Sequence, residues 1–410
     1  MGKIIIIASV FPPDAVTSSY LNFDLANSLS SDKEVVVLRP FPSRPKGVIY
    51  QKEDLIQSGK FKTILLKSYT YPSSRLIGRM HESISFALAC KKYLKKHHDE
   101  IDLVYNHSWH LFGYYIIAKT AVRYGIPYMV PVQDIYPESL MTNRRFPRAI
   151  QQLVMKTLGW MDKYTLRNAA RVRTISEEMR SYLIKTRNLD PAHIFAVDNW
   201  QDDTEHLYVP LLERTSHFVF EYVGSINAHS NVDLIIRAFS NANIHNAELK
   251  IYGGGDNKEH CVTLVKELGL TNVVFDYVKR EQVPSVQADA TVLVLALSKG
   301  NGAFSLPSKV TSYMLSGRPL LVSIDDESAT SRYIREADCG IVVPPGNLDL
   351  LSEAFKFFCS LPFDRLSAMG RHARSFAETR LTREHNLSIV VNHINSILKD
   401  GREKDVRPSC

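Results

Sequence analysis

Short apolar runs, each followed by a longer stretch of helical period, recur along the first half of this 410-residue chain and restart in the second half. This alternation constrains the fold more than any other feature. Strands separated by helix-length segments are joined by crossovers rather than tight hairpins, so they run parallel, with helices covering the sheet faces. In the first half, strands are predicted at Lys3–Ser9, Glu34–Leu38, Lys62–Leu66, Asp102–Tyr105, Pro127–Val132, Arg171–Thr174 and Ile194–Val197. Helices are predicted at Leu76–Lys96, Leu111–Arg123 and Gln151–Asn168. In the last, Val154, Leu158, Met161 and Thr165 recur at helical spacing, predicting a buried stripe.

In the second half, Phe218–Val223, Glu248–Tyr252, Val273–Phe275, Ala290–Leu295, Pro319–Ser323 and Gly340–Val343 read as strands. Helices fit Val232–Asn241, Lys258–Leu268, Ser308–Leu315 and Leu348–Cys359. The expected fold is α/β, with two facing doubly wound Rossmann-like domains and a cleft at the carboxyl ends of their strands, where ligands of such sheets bind. The expected domains are residues 1–200 and 201–380. A C-terminal helix and charged tail follow at 381–410, the helix able to pack back on the first domain.

Charge separates the halves. Residues 1–200 hold 28 Lys and Arg against 17 Asp and Glu; residues 201–410 hold 22 against 26. A basic first half suits an anionic partner such as a phospholipid surface or a phosphorylated acceptor, and scattered surface lysines give the same total. No zinc-finger spacing, RNA-recognition signature or long basic arm favours nucleic acid. The five cysteines lie far apart without a Cys-x-x-Cys pair, against a disulfide framework or zinc site. No apolar run approaches membrane-spanning length, and Ile4–Ala8 is too short for an export signal, so cytoplasmic residence is expected.

The stretch Leu306-Pro307-Ser308-Lys309…Tyr313-Met314…Gly317-Arg318-Pro319 carries the most chemistry. Pro307 opens a helix, with Ser308 as cap or first-turn residue, and Gly317 closes it. With the glycine-containing loop 299–303 ahead of it, the helix start offers backbone N–H groups to a diphosphate, and Lys309 adds a full charge. By spacing alone, a solvated lysine on an ordinary helix fits equally. This string resembles the donor-site helix of glycosyltransferase family 4 and its GT-B relatives. More narrowly, it looks like the branch that builds bacterial O-antigens, capsules and exopolysaccharides, including N-acetylfucosamine transferase-like enzymes. Other segments match in family order: Phe11-Pro12-Pro13-Asp14, Gln133-Asp134-Ile135-Tyr136-Pro137-Glu138-Ser139-Leu140, Asp198-Asn199-Trp200, Tyr222-Val223-Gly224-Ser225-Ile226 and Ile251-Tyr252-Gly253-Gly254-Gly255.

The resemblance implies a nucleotide diphosphate sugar donor, commonly a uridine one, bound by Gly224, Ser225, Ser308, Lys309 and Ser312, with no cofactor and no required metal. It implies an acceptor that is polysaccharide or carried on undecaprenyl diphosphate, retention of anomeric configuration, and peripheral residence on the inner membrane face. Asp134 is the candidate general base or acceptor anchor, with Glu138 second; capping a turn is the rival role for Asp134. His107 is the histidine that the family would set against the sugar or acceptor; a hydrogen-bonded structural role is equally open.

Departures also stand out. Ser225 and Ser230 replace an Arg and a Lys that usually contact the diphosphate, and the family's paired glutamates fall at Phe304 and Ser312. These losses keep open a sugar-nucleotide-binding pseudoenzyme or scaffold, and a sugar-nucleotide epimerase or hydrolase on the same fold. Arg332 is a candidate second cation or a surface ion pair. Asp325-Asp326-Glu327 suits a hard cation, and helix capping accounts for it at least as well. The Leu76–Lys96 helix, with Leu76, Ile77, Met80, Ile84 and Leu88 ahead of four lysines, fits either lipid docking or a core-facing helix with a solvated end.

Overall fold

The computed structural model describes residues 2–44, 47–51, 59–72, 76–109, 111–141, 148–201, 203–214, 217–300 and 307–405. The chain divides into two compact units. One runs to Val197 and takes up the chain again from Leu387; the other is Asp198–Asn386.

The first unit is built on seven parallel strands: β1 (Lys3–Ala8), β2 (Glu34–Arg39), β3 (Lys62–Leu65), β4 (Leu103–His107), β5 (Tyr128–Pro131), β6 (Arg171–Thr174) and β7 (Ile194–Ala196). Their order is β3-β2-β1-β4-β5-β6-β7. Ile4, Ile5, Ile6 and Ile7 are all fully buried, because helices cover both faces of a central parallel strand. The second unit repeats the plan with β8 (Phe218–Val223), β9 (Ala247–Tyr252), β10 (Val273–Asp276), β11 (Val292–Ala296), β12 (Leu320–Ser323) and β13 (Gly340–Val343), ordered β10-β9-β8-β11-β12-β13.

In each sheet the chain starts in the middle and winds outward both ways. The reversal falls between β1 and β4, which pair Ala8 with His107, and between β8 and β11. Crossovers diverge there, leaving a crevice beyond the strand ends.

Two helical faces differ from expectation. In the helix Arg148–Arg167, only Thr165 of the predicted stripe is buried; Val154, Leu158 and Met161 are half-buried. That helix packs chiefly on neighbouring helices, so its inner face is only partly covered. In the helix Leu76–His97, Phe86, Ala87, Cys90 and Leu94 form the core face, while Leu76, Ile77, Met80 and Leu88 are exposed, which excludes the core-facing reading for those four. The C-terminal helix spans Arg383–Asp405, and from Leu387 it belongs to the first unit, with His393 stacked on Phe195 at 3.6 Å.

Candidate active site

In the first unit a cavity of about 510 Å³ lies where the β1–β4 reversal places one. His107, the last residue of β4, and Asp134, just beyond β5, both line it. His107 is almost wholly buried, and its Nδ1 lies 2.7 Å from Asn22 Oδ1. Asn22 donates through Nδ2 to the Val10 carbonyl, which fixes its oxygen toward the ring. In the neutral imidazole Nδ1 therefore carries the proton and Nε2 the lone pair. Asp134 is exposed at the cavity.

Glu138 is not delivered to the cavity. Both of its oxygens accept from Arg187, at 2.8 Å each, and Tyr182 donates to it at 3.0 Å. Arg187 also binds Asp162 at 2.6 Å and the Tyr136 carbonyl at 2.9 Å. Burial opposes ionisation of Glu138, yet the Arg187 hydrogen bonds hold its carboxyl below the usual range. A carboxylate so engaged is a poor base; it anchors the turn that carries Asp134.

The sequence reading missed the opposite wall. Arg79 lines the cavity and donates to Glu82 at 3.1 Å; the buried Arg44 donates to the same oxygen at 2.6 Å. Both guanidiniums lie against Trp109, that of Arg44 4.1 Å and that of Arg79 4.9 Å from its ring centroid. Burial pushes the Glu82 carboxyl up to about 7. The only local signal was Arg and Glu three apart on one helix; Arg44 comes from a distant loop.

In the second unit Gly224 directly follows β8, and the helix Ser308–Leu315 brings Lys309 over it. Gly224 has φ +145°, and a Cβ there would meet Lys309 Cε at 2.0 Å. The Lys309 ammonium donates to the Tyr222 hydroxyl at 2.5 Å and lies 4.4 Å from that ring's centroid; Tyr222 donates to the Ser225 carbonyl at 2.6 Å. Burial lowers the Lys309 pKa to about 8. Ser308 is exposed in the first turn and Pro307 holds the cap position, so Ser308 is not the cap. Ser312 is buried: its hydroxyl donates to the Lys309 carbonyl at 2.9 Å and accepts from Gln287. It braces the helix, whereas a ribose ligand has to present its oxygen outward.

The glycine triplet has a packing reason. A Cβ on Gly253 would lie 1.9 Å from the Gly224 carbonyl oxygen, and one on Gly255 2.1 Å from that of Ile226. Gly253→Ala is therefore expected to push the β8 and β9 loops apart, destabilising the protein by about 1–3 kcal/mol and weakening any ligand held at Gly224. Chemical denaturation with a ligand titration checks this.

Residues 21–205 match the family described as Glycosyltransferase Family 4, and residues 203–376 the one described as Glycosyl transferases group 1. The chain is also 21% identical over 291 residues to the probable glycosyltransferase WbjE of Pseudomonas aeruginosa, covering 68% of this chain and 70% of that protein. The chain is a family 4-like glycosyltransferase. Among solved structures, sucrose-phosphate synthase from Thermosynechococcus elongatus superposes with a TM-score of 0.73 at 14% identity, covering 98% of this chain and 100% of that one. Anabaena HepE, in a complex with UDP and glucose, gives 0.66 at 13% identity over 97% and 100%. The transferase thus has the two-domain Rossmann-like GT-B fold.

Several motif residues of this transferase are structural. Arg318 is buried and donates to the carbonyls of Pro210, Ser316 and Ala290, tying the segment before β8 to the end of the helix Ser308–Leu315. Asp325 accepts from the Gly300 N–H at 2.7 Å, and Asp326 pairs with Arg335. Ser328, rather than an acidic residue, caps the next helix, its oxygen accepting from Ser331 N–H. Arg332 lies 3.6 Å from Glu336, an ion pair along one helix. Residues 301–306, with most of the expected glycine loop and Phe304, lie outside the described residues.

Proposed function

We propose that this transferase moves a sugar from a nucleoside diphosphate sugar, with uridine as the carrier and retention at the anomeric carbon. The acceptor is polysaccharide or carried on undecaprenyl diphosphate, in bacterial surface polysaccharide synthesis, and the chain falls in the branch resembling N-acetylfucosamine transferases. The observation that carries the reading is the half-buried Lys309 ammonium set over the Gly224 backbone beyond β8. A diphosphate entering there meets a cation already partly desolvated, and charge developing on the leaving group is stabilised with little reorganisation. That HepE has been solved with UDP-glucose supports the donor class.

In the reaction the bond from the anomeric carbon to the diphosphate oxygen breaks, and a bond from the acceptor hydroxyl oxygen forms on the same face. Asp134 anchors that hydroxyl or takes its proton; otherwise the proton passes to the departing phosphate. His107 sets its ring against the sugar or acceptor, held by Asn22. The proposal assigns no step to a metal or cofactor.

A thermal-shift screen across nucleoside diphosphate sugars tests the donor. The cognate one, at a hundred times its dissociation constant, raises stability by about 2.7 kcal/mol; no shift with any donor counts against the reading. Ser225 and Ser230, in place of cationic residues, favour one rival, a sugar-nucleotide-binding pseudoenzyme. Acceptor-dependent release of nucleoside diphosphate separates the two, and release without acceptor points to a hydrolase.

A further inference from the structure

The cavity of the first unit holds two opposite charges. Among the described residues that line it, Asp134 is the carboxylate and Arg79 the guanidinium. Tyr136, also in the lining, is within electrostatic reach of both: burial raises its pKa, Asp134 adds to the rise and Arg79 opposes it. A molecule in the cavity can therefore meet Asp134 with one group and Arg79 with another.

Arg79 belongs to a wall with more positive charge than its acid can balance. It shares one Glu82 oxygen with Arg44, at 3.1 Å and 2.6 Å, while the other oxygen accepts from the Tyr71 N–H at 3.0 Å. Two guanidiniums against one carboxylate leave a single positive charge over. Asp14, a buried acid close by, is matched elsewhere. Its Oδ1 accepts from the N–H groups of Ser43 and Arg44, each at 2.8 Å, and its charge faces Arg39. Hydrogen-bond donors are in excess as well. Arg44 is 5% exposed, yet its Nε and Nη1 meet no acceptor among the described residues. Arg79 gives Nη1 to Glu82, and its other N–H groups meet none among the described residues. Trp109 lies against both cations and holds them in place. Buried charge and buried donors of this kind are normally partnered.

We propose that the acceptor carries a carboxylate of its own, as a uronic acid does, and that Arg79 receives it while Asp134 meets the reacting hydroxyl. One carboxylate balances the one excess charge of the wall, and its two oxygens match the planar fork of a guanidinium. A phosphate monoester brings a charge of about −1.5 to −2 at neutral pH, more than the wall offers. Asp134 repels the carboxylate, so the acceptor enters in one orientation. Arg79 is thereby a specificity-determining residue: a neutral sugar of the same shape leaves its guanidinium desolvated and unpaired, which costs more than the missing bond itself. The inference rests on the reading that this cavity takes the acceptor.

The probes are the methyl glycosides of glucuronic, galacturonic and mannuronic acid, each beside its neutral hexose counterpart, titrated into the full chain by ligand-observed NMR. At least one uronoside is expected to bind about tenfold or more tighter than its neutral partner, with added salt narrowing the gap. Arg79→Gln is expected to remove that preference and leave neutral-sugar binding and the unfolding midpoint unchanged. Arg79→Lys, which keeps the charge without the fork, should retain part of the preference. Equal binding of charged and neutral sugars, no uronoside binding, or a preference that survives Arg79→Gln would overturn the proposal. So would pyrophosphate binding that Arg79→Gln weakens as much as it weakens uronoside binding, which gives the wall to a diphosphate. Transfer assays separate this inference from the reading beneath it. A uronoside held through Arg79 without acceptor-dependent release of nucleoside diphosphate supports the carboxylate site and removes the cavity from acceptor binding. Release driven equally by neutral acceptors, with a KM that Arg79→Gln does not move, keeps the acceptor reading and removes the carboxylate.

Discussion

Lys309→Ala is expected to lower kcat/KM by about 10²–10³-fold, the scale of removing one stabilising group from a developing anion, and to weaken donor binding in parallel. The unfolding midpoint should change little, because the ammonium is half-buried against Tyr222 and Gly224 and its charged form already costs the apo protein stability. The pH dependence gives a sharper signature. Burial places the free-enzyme pKa near 8, so Lys309 is charged at neutral pH and loses its proton as pH rises through that value. A diphosphate prefers the charged form. Donor dissociation constants should therefore be flat below about pH 8 and rise by about tenfold per unit above it, until the bound ammonium itself titrates. In the alanine variant that slope should vanish. Isothermal titration with the donor between pH 6.5 and 9.5 measures both, and an unchanged affinity in the variant would remove Lys309 from the donor site.

Asp134→Asn is expected to cut kcat by about 10²–10⁴-fold, the usual range for a positioned proton acceptor, with donor affinity unchanged. Asparagine keeps the size and hydrogen-bonding reach of aspartate but cannot accept a proton, so the loss separates chemistry from binding. The corresponding Glu138→Gln change should act on stability instead, since Glu138 is spent on Arg187. Steady-state kinetics with a donor-binding titration distinguishes these outcomes. A fully active Asp134→Asn enzyme would leave the cavity without its proposed base.

Much of the fold was legible because a parallel sheet imposes its pattern locally. Ile4–Ile7 has to be apolar throughout when both faces are covered, and each strand has to be followed by a helix-length return. The site was legible in part. Lys309 stands out as a lysine in the first turn after a proline, and Asp134 and His107 fall at strand ends, where crevices form. Tyr222 lies in a recognisable segment, but its hold on the Lys309 ammonium was not legible, because 87 residues separate the two in sequence. Glu138 shows the converse. Its motif was recognisable, but Arg187, 49 residues further on, takes up its carboxylate. Likewise the wall of Arg44, Glu82 and Arg79 joins a loop to a helix that no spacing connects.

By itself the sequence determined the alternation of strands and helices, the restart that makes two units, and the residue types at the strand ends. Those depend on periodicity and on backbone preferences acting over a few neighbours. Only the tertiary structure decided which charges are spent and which remain. It tied Glu138 and Asp162 to Arg187, buried Ser312 and Arg318, and left Arg79 at the cavity wall sharing its one acid, Glu82, with Arg44. The reason is that desolvation and Coulomb attraction act through space, between groups that folding brings together from distant parts of the chain.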